Sequence, residues 1–90
     1  MLRGQVSIVN DLGLHARAAA QLVRLASGFS SRIKLLRIDN AVIADAKSIL
    51  SVLTLAASKG VVLEIEIDGV DESPAFSAIE SIFANGFGEM

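Results

Sequence analysis

Val61-Val62-Leu63-Glu64-Ile65-Glu66-Ile67-Asp68 sets Leu63, Ile65 and Ile67 against Glu64, Glu66 and Asp68 in strict alternation. Successive strand side chains point to opposite faces. The stretch therefore predicts a strand from Val61 to Asp68 with one face on a core and the other in water. A sheet of such strands carries its helices on one side only. That is an α+β fold, an open-faced β-sandwich.

The flanking sequence fills in the remaining elements. Downstream, Asp71-Glu72-Ser73-Pro74 opens a helix: acids suit its positive end and proline fits its first turn. Phe76, Ile79 and Phe83 form its apolar stripe, and Gly86 ends it. Upstream, Ser48 caps a helix that Ile49, Val52, Leu53 and Ala56 line on one side and Gly60 ends. Strands Ile33 to Ile38 and Ala41 to Ala44 flank a two-residue turn, Asp39-Asn40, in which asparagine tolerates the left-handed conformation. Ala16 to Ser27 reads as a helix, with Ala19, Leu22, Val23 and Ala26 on one stripe and Arg17, Gln21 and Arg24 on another. Gly28 stops it. A first strand, Gln5 to Val9, puts Val6 and Ile8 on one face, and Asn10 to Gly13 forms a turn. The order is β-α-β-β-α-β-α, expected as one domain over residues 1–90.

Composition narrows the function. Hydrophobic residues make up 52% of the 90, with four Phe and no Trp or Tyr, so the core should be aliphatic. Without cysteine there is no disulfide, Cys-based zinc site or thiol nucleophile. No cluster of metal ligands is evident, and no cofactor is implied. The apolar runs fall short of the roughly 20 residues a bilayer span needs. Met1 to Gln5 leads into a strand and lacks the apolar stretch of a signal peptide. A cytoplasmic protein is expected, with no membrane partner. A net charge of −2 argues against a nucleic-acid binder. Arg17, Arg24, Arg32, Lys34, Arg37 and Lys47 fall in the first half of the chain, and Glu64, Glu66, Asp68, Asp71 and Glu72 in the second. An acidic partner could be steered to the basic side, but on charge alone ordinary solvated surface is the better reading.

Chemistry concentrates in Gly13-Leu14-His15-Ala16-Arg17-Ala18-Ala19-Ala20, which holds the only histidine. A neutral imidazole at a helix start is a nucleophile placed where an anion is stabilised. A phosphoryl group on it would face free backbone N–H groups, those of Ala16 and Arg17. The Arg17 side chain would add charge-assisted hydrogen bonds. One arginine and a helix end hold such a group moderately, as a carrier that must release it requires.

The chain resembles the histidine-containing phosphocarrier (HPr) family of the bacterial phosphotransferase system. The resemblance covers nearly the whole chain. It rests on Gly13-Leu14-His15-Ala16-Arg17, on Lys47-Ser48-Ile49-Leu50, on Lys59-Gly60 before the last strand, and on the element order. It implies an antiparallel four-stranded sheet with three helices on one face. It also implies that His15 is phosphorylated on Nδ1 by enzyme I charged from phosphoenolpyruvate, and that the group passes to a IIA protein or domain. Arg17 is then the charge partner of His15. Many members have proline after the arginine, where this chain has Ala18. The tail Phe83-Ala84-Asn85-Gly86-Phe87 resembles the nitrogen-related branch. Lys47-Ser48-Ile49-Leu50 is equally at home in sugar-branch carriers, in which the serine is the target of a dedicated kinase.

Ser48 is therefore a helix cap on one reading and a regulatory phosphorylation site on the other, and the two are compatible. Leu14, Leu50 and Leu53 would form an apolar docking patch rimmed by Arg24 and Lys47, although Leu53 also fits the core. The expectation is a monomeric phosphocarrier, not an enzyme with turnover of its own. The alternatives are a nitrogen-branch regulatory carrier or an interaction module of the same fold. A small hydrolase ranks last, because no serine lies in a nucleophile-elbow context.

Overall fold

The computed structural model describes residues 1–89. Four strands, β1 (Leu2–Ser7), β2 (Arg32–Arg37), β3 (Val42–Asp45) and β4 (Val62–Asp68), form one sheet in the order β1-β4-β2-β3. Every pairing is antiparallel. Three α-helices, α1 (Ala16–Ser27), α2 (Ile49–Leu53) and α3 (Glu72–Ala84), and a short 3-10 turn, Gly86–Gly88, complete the fold. The architecture is the expected open sheet with three helices. Among the described residues no helix is long and apolar enough to cross a membrane.

The alternation in β4 does what its chemistry requires. Leu63, Ile65 and Ile67 are fully buried, and Ile33 and Leu35 of β2 join them beneath Leu22, Ile79 and Phe83 of the helices. The acidic side chains of β4 lie on the opposite face, where the register sets Lys34 and Arg3 across from Glu66 and Arg32 across from Asp68. Cations from the first half of the chain thus sit beside anions from the second, an arrangement that stabilises cross-strand pairs. The charge asymmetry along the sequence is largely cancelled on this face.

Local details differ from the sequence reading. The first strand begins at Leu2 and ends at Ser7, not Val9. The β2–β3 connection spans four residues, Ile38 to Ala41, and the left-handed residue is Ala41 (φ 60°) rather than Asn40. Asn40 accepts a hydrogen bond from the Val42 amide instead, so its side chain closes the turn. The second helix is a single short turn ending at Leu53, far ahead of Gly60. Thr54 bonds back to the Ser51 carbonyl, and Ala56 takes φ 48°. The chain therefore turns inward at Leu55, so Val52 and Leu55 are buried while Ile49, Leu53 and Ala56 are exposed.

Candidate functional site

Gly13 makes the site possible. It adopts φ 65°, and a side chain there would run into the Ala57 carbonyl and the Ser58 backbone. Its amide donates to the Asn10 carbonyl (3.2 Å), and Asn10 Nδ2 donates to the Gly13 carbonyl (2.9 Å). The Leu14 amide then donates to the Ala57 carbonyl (2.9 Å), and the Leu14 side chain is buried. These ties deliver His15 in an extended conformation at the N-cap of α1. Its carbonyl accepts the first helical bond, from Ala19 (2.8 Å). Alanines at 16, 18, 19 and 20 then carry the helix forward.

The imidazole takes the place of the usual N-cap side chain. Nδ1 accepts from the Arg17 amide at 3.3 Å, a long bond that is easily exchanged. The first turn contains no acid. Among the described residues the amides of Ala16 and Ala18 have no acceptor; Ala16 is exposed, so its donor remains for an anion, while Ala18 is fully buried. Proline at 18 would remove one of these donors. The Arg17 guanidinium likewise has no hydrogen-bond or ion-pair partner among the described residues, and Arg17 is exposed.

On the other side of the ring, Nε2 bonds the Glu89 carboxylate. The second Glu89 oxygen accepts from Asn10 Nδ2 (2.8 Å). The His15 side chain is 27% exposed and that of Glu89 17%. Hydrogen bonds from Asn10 and then His15 hold the Glu89 carboxyl below its ordinary range, and the positive charge of Arg17 adds to this. Neither Asn10 nor Glu89 was anticipated. Glu89 lies 74 residues from His15, and no pattern in its neighbourhood points to that contact.

The remaining candidates divide. Ser48 caps α2, its hydroxyl accepting from the Ser51 amide (3.3 Å), and it is partly exposed. Leu50 is 75% exposed, as a docking residue must be, and Arg24 is exposed on α1. Leu14 does not belong to a docking surface: it is 6% exposed, because its backbone is pinned to Ala57 and its side chain completes the core. Lys47 is half-buried with its ammonium on the Phe29 carbonyl (2.6 Å), so it closes the loop after α1 rather than rimming a patch. Leu53 is exposed, on the surface side of α2 and not in the core. Leu12, in the turn before His15, is 71% exposed and was not anticipated. Among the described residues no cluster of His, Asp or Glu could hold a metal. Clefts lie elsewhere, for example beside β3, lined by Arg32, Lys34, Ile43 and Asp45.

The chain has known relatives over nearly its whole length. Residues 2–85 match the family model described as "PTS HPr component phosphorylation site". The chain is 47% identical over 89 residues to phosphocarrier protein HPr of Cupriavidus necator, covering 99% of this chain and 98% of that protein. It is 40% identical over 84 residues to phosphocarrier protein NPr of Escherichia coli K12, covering 93% and 92%. The crystal structure of HPr-C-His from Thermoanaerobacter tengcongensis superposes with a TM-score of 0.93 at 37% identity, covering 100% of this chain and 99% of that one. An aliphatic open-faced sandwich with a histidine-capped helix thus has relatives over nearly its full length that are named phosphocarrier proteins, and the chain belongs to the HPr family of the phosphotransferase system.

Proposed function

We propose that His15 accepts a phosphoryl group on Nδ1 from enzyme I charged by phosphoenolpyruvate, and passes it to a IIA protein or domain. The observation that carries this reading is the asymmetry of the imidazole: Nε2 is engaged by Glu89, while Nδ1 faces the amide end of α1 through one long, exchangeable bond. Phosphoryl transfer relies on positioning and electrostatics, and the partner enzymes complete both. The Arg17 side chain and the amides of Ala16 and Arg17 are the groups that would hold the phosphate. The carrier would act as a cytoplasmic monomer, meeting its partners in turn through a surface that includes Leu12, Leu50 and Arg24.

The sugar-uptake carrier is the branch we adopt. The HPr relative at 47% identity supports it over the NPr relative at 40%. Incubation with phosphoenolpyruvate and a bacterial enzyme I, read by intact mass and phosphorus NMR, tests the reading. An acid-labile, base-stable phosphate is expected on the wild type and none on His15→Ala, with the fold unchanged. Phosphate on His15→Ala would reject the site. Charging by the nitrogen-branch enzyme I in preference to the sugar-branch one would reassign the branch.

Ser48 is proposed as a regulatory phosphorylation site for a serine kinase and its phosphatase. Its support is partial exposure at a helix start, where added negative charge is favoured locally yet would repel an acidic partner. Ser48→Asp should slow acceptance at His15 by about tenfold, the scale of a displaced charge-assisted contact. Equal rates would remove Ser48 from the regulatory role.

A further inference from the structure

We propose that Glu89 is a positioning residue for phosphoryl transfer: its carboxylate holds the His15 ring in the tautomer that leaves Nδ1 free to attack. This inference rests on the reading of His15 as the phosphorylated residue.

The ring has partners on both nitrogens, and both demand the same tautomer. A carboxylate only accepts hydrogen bonds, so Nε2 carries the proton in its bond to Glu89. The Arg17 amide only donates, so Nδ1 presents a lone pair. The side chain at 89 must itself be a carboxylate. Two donors converge on it, Asn10 Nδ2 on one oxygen and His15 Nε2 on the other. A carboxamide has one acceptor oxygen and would set an N–H against one of these donors.

The support behind Glu89 is built into the fold. Asn10 is 1% exposed and spends its two amide hydrogens on the Gly13 carbonyl and on Glu89. The turn that presents His15 and the carboxylate that orients it are therefore held by one buried side chain. From the other direction, Phe87 is buried edge-on against Phe83, with ring centroids 5.2 Å apart. The Gly88 and Glu89 amides close back on Asn85 and Gly86. The tail after α3 is thus anchored in the core and delivers residue 89 to the ring. Glu89 also lies outside residues 2–85, the segment matched by the family model.

The chemistry balances without moving a proton. The Nδ1 lone pair forms a bond to the phosphorus of the donor while the bond from phosphorus to its leaving group breaks, and that electron pair departs with the leaving group. The ring becomes cationic with Nε2–H retained, and the Glu89 carboxylate balances the new charge from the side opposite the phosphate. On delivery to an acceptor, the N–P electron pair returns to Nδ1.

The test uses phosphoramidate, a small donor that loses ammonia, so that no partner protein intervenes. Wild type, Glu89→Gln, Glu89→Ala and Glu89→Asp are compared by phosphorus NMR for the rate at His15, and by long-range proton–nitrogen spectra for the ring. We expect Glu89→Gln and Glu89→Ala to react about tenfold more slowly, the scale of one charge-assisted hydrogen bond, without loss of the fold. Glu89→Asp should recover part of the rate. In wild type the ring spectrum should show a protonated Nε2 slowed in exchange, a signature lost in Glu89→Ala. Variant rates equal to wild type would overturn the role of Glu89 alone, and faster rates would recast it as a plug over the ring. A wild-type ring protonated at Nδ1 would overturn the tautomer argument. A wild type that takes no phosphate at His15 would overturn the reading of His15, and the role of Glu89 with it.

Discussion

The starts of α1 and α3 meet carboxylates in opposite ways. At α3 the acids are local: Asp71 is the N-cap and Glu72 stands in the first turn. Glu72 takes the chain's amino terminus at 2.8 Å. Asp71 does not cap its own helix. It accepts from the amides of Ser30 (2.8 Å) and Ser31 (2.9 Å) and from the Ser31 hydroxyl, which joins α3 to the loop after α1. At α1 the cap is an imidazole, the first turn has no acid, and the nearby carboxylate comes from the far end of the chain to the ring rather than to the amides. A helix start whose own acids reach out to other segments serves as a joint. One left with unpaired amides beside a partly exposed imidazole is suited to hold a transient anion.

The largest expected effect breaks the joint. Asp71 has a carboxyl pKa lowered to about 2 from 3.8, chiefly by the Ser31 hydroxyl and then by the Ser30 amide. Because its folded-state value is depressed, its contribution to stability is complete above about pH 4. That contribution is lost as pH falls toward 2. Urea unfolding should find Asp71→Asn less stable than wild type at neutral pH, with the gap closing over that acid window. A gap independent of pH would mean that packing, not the carboxylate, holds the joint. Phosphoryl acceptance at His15 should be unaffected.

A smaller effect is expected at the open start. Arg17→Ala should slow acceptance by roughly tenfold, since one charge-assisted hydrogen bond to the phosphate is lost, and leave the melting temperature unchanged. An unchanged rate would assign the phosphate to the amides alone.

The smallest change converts one kind of start into the other. Ala16 is exposed in the first turn of α1. Ala16→Asp gives that turn the acid it lacks and should stabilise the helix by about 0.5 kcal/mol. The same charge should slow phosphoryl acceptance severalfold. Stability and transfer moving in opposite directions is the outcome that sharpens the comparison. If both rose, the open amides would not be the phosphate site.

Much of this was legible before the fold was known, and the particular residues show why. Leu63, Ile65 and Ile67 announce a one-sided strand because alternation is a property of six consecutive positions. The span of α1 follows from an amphipathic repeat bounded by Gly13 and Gly28, and the reading agrees with Ala16–Ser27. The second helix was read too long because apolar spacing alone cannot register that Ala56 turns left-handed and directs Leu55 inward. Sequence alone puts Leu14 on the surface because it neighbours the site along the chain. Burial depends instead on what Ala57 brings to it across the fold.

By itself, then, the sequence determined the strand and helix pattern, the one-sided sheet, and a histidine at the mouth of an acid-free helix. All of these depend on interactions within a few residues. Only the tertiary structure decided which groups meet that histidine and which cations stay free. Glu89 and Asn10 come together across 79 residues, Asp71 reaches Ser31 across 40, and Lys47 is used up on Phe29 across 18. The physical reason is that a hydrogen bond's partner is selected by where the chain returns. That return is set by the packing of the whole core, including Phe87 against Phe83, and no local period encodes it.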